Sequence, residues 1–113
     1  MRILIAEDEW LIATTIERAL LDSKYEVAGK IGSMVGALRL IDEVEFDAAI
    51  LDANLAGASA EPVAAALTLR RKPFLVISGY ADRQRTGLLA TAPFIGKPFT
   101  PQLLVVAIRS LLA

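Results

Sequence analysis

Three carboxylates, one hydroxyl and one ammonium stand where short apolar runs of this chain end. Glu7-Asp8 follows Ile3–Ala6, and Asp52 follows Ala48–Leu51. Ser78 follows Phe74–Ile77, and Gly96-Lys97-Pro98 follows Phe94–Ile95. Carboxylates gathered in one place repel. At ~5 Å and an effective dielectric of ~20, each pair costs on the order of 3 kcal/mol before screening. A fold tolerates this when positive charge sits among them. Lys97 supplies one charge, and a divalent cation would supply two more. The chain has no His and no Cys, and hard oxygen ligands alone select Mg²⁺, Mn²⁺ or Ca²⁺ over Zn²⁺. With few carboxylates and waters to complete the shell, Mg²⁺ fits best, and Mn²⁺ or Ca²⁺ would substitute. A carboxylate beside Mg²⁺ and a fixed lysine is equipped for phosphoryl transfer. That chemistry needs a positioned oxygen nucleophile, with cations and donors around the three equatorial oxygens of the moving group. Asp52, on the central run, is the expected nucleophile and phosphate acceptor. Glu7 and Asp8 are expected to hold the metal, and Ser78 and Lys97 to meet phosphoryl oxygens.

Such chemistry needs an architecture that brings the ends of separate runs to one edge. The short runs are Ile3–Ala6, Val27–Ala28, Ala48–Leu51, Phe74–Ile77 and Phe94–Ile95. Continuous apolarity suits strands covered on both faces, as in a parallel sheet. Between them lie amphipathic stretches that predict helices. Leu11–Leu21 is the first. Ser33–Val44 opens on a Ser cap, and Ser59–Arg70 has Ser59 as cap and Pro62 in its first turn. Asp82–Ala90 is short, and the last stretch begins at Thr100-Pro101 and carries Leu104, Ala107, Ile108 and Leu111 on one stripe. Strict strand–helix alternation predicts an α/β fold, a parallel sheet with helices on both faces. Ligands in such folds bind outside the carboxyl ends of the strands, where the strand order reverses.

The 113 residues suit one domain over 1–113. With 55% hydrophobic and 22% charged residues, the chain has material for a core and is not a disordered linker. A net charge of −1 argues against a non-specific nucleic-acid binder. The absence of Cys excludes disulfides, thiolate metal sites and a Cys nucleophile. The absence of His excludes imidazole acid–base catalysis and a phosphohistidine-donor role. No uncharged stretch approaches the ~18–20 apolar residues of a spanning helix, and the acidic N-terminus is no signal peptide. The expected compartment is the cytoplasm.

The residues then carry a resemblance. The sequence resembles, over its whole length, the receiver domain of bacterial two-component response regulators. That family has an acid pair after the first strand, an Asp after the third, Thr or Ser after the fourth and Lys-Pro after the fifth. Here these are Glu7-Asp8, Asp52 within Leu51-Asp52-Ala53-Asn54-Leu55, Ser78, and Lys97-Pro98-Phe99. Each motif alone is weak; the set in order within about 110 residues is specific. The resemblance implies a flavodoxin-like (βα)5 fold, doubly wound, with five parallel strands in the order 2-1-3-4-5. It implies Asp52 as phosphoacceptor, with Mg²⁺ held by Asp8, Asp52, the main-chain carbonyl of Asn54 and, partly through water, Glu7. Ser78 and Lys97 take the switch roles, and the Lys97–Pro98 bond is expected to be cis. The donor would be a sensor histidine kinase or phosphotransfer protein, and the output a contact with a downstream protein. Helix 4, strand 5 and helix 5 form a candidate homodimer face. No nucleic-acid or membrane partner is expected, nor turnover beyond the domain assisting its own phosphorylation and dephosphorylation.

Four features depart from the usual pattern. Ala56 stands where many members have Pro. Phe94 replaces a common Tyr, so no hydroxyl is available to swing. Only nineteen positions separate Ser78 from Lys97, which predicts a short or irregular fourth helix. Pro73-Phe74 with Ser78-Gly79-Tyr80 resembles a subgroup of stand-alone receivers. Tyr80, two residues past Ser78, is a candidate gate for water, and Phe94 a candidate switch that doubles as core. Trp10 is expected to cover the start of the first helix.

Other functions remain open at this level. The chain could be a phosphate shuttle or sink, or a receiver cut from a larger regulator. A degenerate docking module is disfavoured because all five side-chain types are present. A Mg²⁺-dependent Asp-nucleophile phosphatase would place its nucleophile after the first strand, usually as Asp-x-Asp, and would need a cap insertion.

Overall fold

The computed structural model describes residues 1–79 and 87–113. Five strands form the main sheet: β1 (Arg2–Ala6), β2 (Glu26–Ile31), β3 (Ala48–Asp52), β6 (Phe74–Ser78) and β7 (Phe94–Gly96). A small antiparallel hairpin, β4 (Asn54–Leu55) and β5 (Ala58–Ser59), lies between β3 and the third helix. The helices are α1 (Trp10–Asp22), α2 (Met34–Glu43), α3 (Glu61–Leu69), α4 (Gly87–Thr91) and α5 (Pro101–Leu111). The main sheet runs β2-β1-β3-β6-β7, with every pairing parallel. Counting its strands in chain order gives 2-1-3-4-5, the doubly wound flavodoxin-like arrangement.

The apolar runs make strands because both faces of each are covered. Residues alternate between two cores. Leu4, Ala6, Ala49, Leu51 and Val76 meet Ala37, Ile41, Val63, Ala64, Leu67 and Leu89 from α2, α3 and α4. Ile3, Ile5, Ala48, Ile50, Leu75, Ile77 and Ile95 meet Ile16, Ala19, Leu20, Leu104 and Ile108 from α1 and α5. The period of two in a strand sends neighbours to opposite faces. All five residues of β3 and of β6 are therefore buried.

The caps follow the sequence in part. The Ser33 hydroxyl accepts from the Gly36 N–H at 3.0 Å, and the Thr100 hydroxyl from the Leu103 N–H at 3.1 Å. Helix α3 differs from expectation. Its cap is Ala60, because Ser59 is drawn into the β5 ladder, from where its hydroxyl still accepts from the Glu61 N–H at 3.3 Å. The hairpin explains the missing proline. Ala56 and Gly57 occupy the two-residue turn with φ of +52° and +86°, the primed geometry that joins antiparallel strands. Proline, locked near −65°, cannot enter it. Within the predicted helix 82–90, residues 82–86 lie outside the described residues. The described part, α4, is short, and its first amides donate to the Glu61 carboxylate, at 2.7 Å from Leu88 and 3.5 Å from Leu89.

Two aromatic expectations are corrected. Trp10 is 73% exposed as the first residue of α1, so most of its ring faces solvent rather than the helix start. Phe94 is 44% exposed, on the edge strand β7, where Val76 stands beside it in register. It is not a core residue.

Candidate functional site

The carboxyl ends of β1, β3, β6 and β7 meet at one edge. Glu7 continues β1 by one residue: its N–H donates to the Ile31 carbonyl at 3.0 Å. By strand alternation it faces as Ile3 and Ile5 do, and it is buried. Asp8 turns outward and is exposed. Gly32 lets it do so, for a Cβ there would lie 3.2 Å from the Asp8 Cα and 3.4 Å from the Glu7 carbonyl oxygen. Asp52 ends β3 opposite Ile77, and is buried. The Asn54 N–H donates to Asp52 Oδ1 at 3.1 Å, which holds the carboxylate against its own strand end. Ser78 ends β6, and its carbonyl accepts from the Lys97 N–H at 2.8 Å, which fixes the lysine opposite Asp52. The Lys97–Pro98 bond is cis.

Lys97 is the electrostatic centre. Its Nζ donates to Asp52 Oδ2 at 2.8 Å and stands 3.2 Å from Glu7 Oε2 and 3.3 Å from Glu9 Oε1. Burial disfavours its ammonium. The hydrogen bond to Asp52 and the charges of Asp52 and Glu7 outweigh that, and hold the lysine above its ordinary value. Glu7 moves the other way. Burial, then its hydrogen bond to Asp52, pushes its carboxyl up to about 7, although the Glu9 backbone N–H and Lys97 favour the anion. Among the described residues, Ser78 Oγ is buried with no hydrogen-bond partner, and so is Glu7 Oε2, despite the nearby lysine. Unpaired buried oxygens are costly and call for a ligand that completes them.

Of the residues singled out in the sequence, Glu7, Asp8, Asp52, Ser78 and Lys97 come to this edge. The Asn54 side chain is committed to the hairpin, its Oδ1 accepting from the Gly57 N–H at 3.1 Å. Phe94 starts β7, two residues short of the edge residue Gly96. Tyr80 lies outside the described residues. Sequence reasoning missed Glu9. It reads as the third acid of a solvated helix start, and only the three-dimensional fold shows that the run of acids wraps a lysine 88 positions away. It also missed the role of Gly32, whose signal is a small residue directly after a strand.

No family model matches the chain. Solved structures do. SdrG from Sphingomonas melonis Fr1 is 37% identical over all of this chain and 97% of that one, with a TM-score of 0.88. The chain belongs to the receiver-domain family of response regulators. A CheY-like response regulator receiver domain protein from Methanospirillum hungatei JF-1 is 26% identical over 98% of this chain and 92% of its own, at a TM-score of 0.87. SdrG in its BeF3-activated conformation superposes with a TM-score of 0.84. The transcriptional regulatory protein PdtaR of Mycobacterium tuberculosis is 28% identical over 112 residues, 96% of this chain. The receiver spans about half, 55%, of that curated relative. Among the described residues, no helix is long and apolar enough to cross a membrane.

Receiver domains hold Mg²⁺ in an acidic pocket, and this receiver's residues fit that ion. Glu7, Asp8 and Asp52 each offer a carboxylate oxygen, all within 4.8 Å of one another. Oxygen-only donors with one open, exposed member suit a hard cation that keeps several waters. Glu7 Oε2 accepts no hydrogen bond among the described residues and has the Lys97 ammonium nearby, at 3.2 Å, so it is free to serve as a ligand.

Proposed function

We propose that this receiver takes a phosphoryl group from a phosphohistidine donor, a sensor kinase or phosphotransfer protein, onto Asp52. One observation carries the reading: Asp52, buried at a strand end, is held at 2.8 Å by Lys97 with an unpaired Ser78 hydroxyl on the next strand. The likeness to SdrG, which has a BeF3-activated form, supports it.

In the transfer, an Asp52 carboxylate oxygen attacks phosphorus. The O–P bond forms, the N–P bond of the donor imidazole breaks, and that imidazole leaves with the bonding pair. Asp8, Asp52, the Asn54 main-chain carbonyl and Glu7 are the residues that would hold Mg²⁺. When bound, the ion neutralises charge on the phosphoryl oxygens. Lys97 then exchanges a carboxylate for one phosphoryl oxygen, and Ser78 Oγ donates to another, so each buried polar atom gains a partner. Pulling Ser78 and Lys97 inward moves the ends of β6 and β7, to which α4 and α5 are tied. That shift changes the face where Phe94, Leu103 and Val106 are exposed, and a downstream protein or second copy docks there. It requires differential contacts in the two states. Tyr80 and Phe94 are the gating and switch residues of this scheme, and residues 1–113 act as one receiver unit.

Phosphotransfer from candidate kinases to the wild type and to Asp52→Asn tests the reading. Label on the wild type and none on the variant is expected. Equal labelling, or labelling of neither by any donor including acetyl phosphate, refutes it. Multiple turnovers of a phosphomonoester would point to a phosphatase instead.

A further inference from the structure

Glu9 occupies the N-cap of α1 with extended backbone (φ −80°, ψ 108°), yet its side chain caps nothing. The side chains that ordinarily accept from the first free amides here are the shorter Ser, Thr, Asp and Asn, and the longer Glu is left free to reach elsewhere. Here it reaches across to Lys97, with Oε1 3.3 Å from Nζ. The turn that sends it there is pinned from behind, because the Glu9 N–H donates to Glu7 Oε1 at 3.0 Å. The lysine thus donates to three carboxylates: Asp52 Oδ2 at 2.8 Å, Glu9 Oε1 at 3.3 Å and Glu7 Oε1 at 3.4 Å. An ammonium has three protons and no more. A phosphoryl oxygen reaches Lys97 only by displacing one of these partners.

The three are not equally displaceable. Asp52 is the acceptor itself, and Glu7 is buried with nowhere to go. The Glu9 side chain is 60% exposed, so water takes over its solvation at once. We propose that Glu9 is a positioning residue that competes for Lys97 and lowers the domain's affinity for a phosphoryl group on Asp52. The inference rests on Asp52 being the acceptor, as above. Glu9 is released to solvent when the phosphoryl oxygen arrives. In the resting domain it also keeps the third proton of the lysine occupied, so that each proton of the ammonium has an acceptor. Because the Glu9 side chain is 60% exposed and water competes for it, its effect is modest, on the order of 2- to 5-fold.

The test uses the full chain with ¹⁵N-lysine. Beryllofluoride affinity is measured at saturating Mg²⁺, so that a changed metal affinity does not enter, and the Lys97 Nζ resonance is followed in the same samples. Glu9→Gln is expected to bind beryllofluoride about 2- to 5-fold more tightly and to shift the resting Lys97 resonance. Glu26→Gln removes the same charge at the amino end of β2, the opposite edge of the sheet, and is expected to change neither. An unaltered or weakened affinity in Glu9→Gln overturns the proposal. So does an unmoved Lys97 resonance, or an equal gain in Glu26→Gln. If the wild type binds no beryllofluoride at all, the acceptor reading falls and this inference falls with it. That outcome is distinct from failure of Glu9 alone, in which the wild type binds normally.

Discussion

The raised Glu7 carboxyl makes the metal-free domain less stable as the solution turns neutral. In the folded chain, burial holds the Glu7 proton up to about pH 7, against 4.5 for the ordinary side chain. Between those values the folded state carries a proton that the unfolded state has released. The contribution is therefore fully present below about pH 4.5 and is lost as pH rises through about 7. A displacement of that size corresponds to roughly 3 kcal/mol, on the order of 10 °C in melting temperature for a domain of this length. The window from pH 5.5 to 8 is unusually clean, because the chain has no histidine, the side chain that ordinarily titrates there. Urea unfolding in EDTA at a series of pH values measures the slope, and Glu7→Gln is the control. The amide keeps the shape of the protonated acid at every pH. The variant should match the wild type near pH 5, lose far less on going to pH 8, and be the more stable protein there. Parallel curves for the two proteins would refute the reasoning, since Glu7 would then hold no proton in the folded state. Saturating Mg²⁺ should reverse the wild-type trend, because metal binding needs the ionised carboxylate and expels its proton.

Three further outcomes are expected. Mg²⁺ at ten times its dissociation constant should stabilise the domain by ~1.4 kcal/mol in thermal melts, and Asp8→Ala should abolish that gain. Ala56→Gly should add up to about 1 kcal/mol of stability by chemical denaturation, because φ of +52° strains a residue with a Cβ, while Ala56→Pro should destabilise. Glu61→Ala should cost about 1 kcal/mol through loss of the carboxylate that accepts from Leu88 and Leu89. Hydrogen exchange at those two amides should quicken more than at Leu104 or Ile108.

The fold was legible because its periodicities are nearly undisturbed. β3 and β6 are buried on both faces and read as unbroken apolar runs. β2 is only partly covered, and just Val27–Ala28 of its six residues stands out in the sequence. The β4–β5 hairpin was invisible for a different reason. Two-residue strands carry no period, and its turn uses Ala-Gly rather than the Asn-Gly or Asp-Gly that announces a primed turn. The acid edge was legible as types at run ends, which needs only the topology of a parallel sheet. Glu9 was not, because its partner lies 88 positions away at the end of another strand and nothing in the local sequence distinguishes that placement from an acid at a solvated helix start.

The charge balance of that edge explains why a domain built this way can act as a switch at all. Glu7, Asp8 and Asp52 face one lysine, and the imbalance is tolerated by keeping a proton on Glu7. On the proposed reading, a divalent ion would replace the proton and restore the balance. Phosphorylating Asp52 would then substitute a group carrying close to two negative charges for one carrying a single charge. The excess would fall on the two donors able to move toward it, Ser78 and Lys97. Both sit at the carboxyl ends of β6 and β7, so on the proposed reading the added charge would be converted into displacement of those two strands. On the same reading, loosening Glu9 from Lys97 would be the least costly first step of that movement, which is why the exposed acid in contact with the lysine, and not the buried Glu7 or Asp52, is the residue to vary.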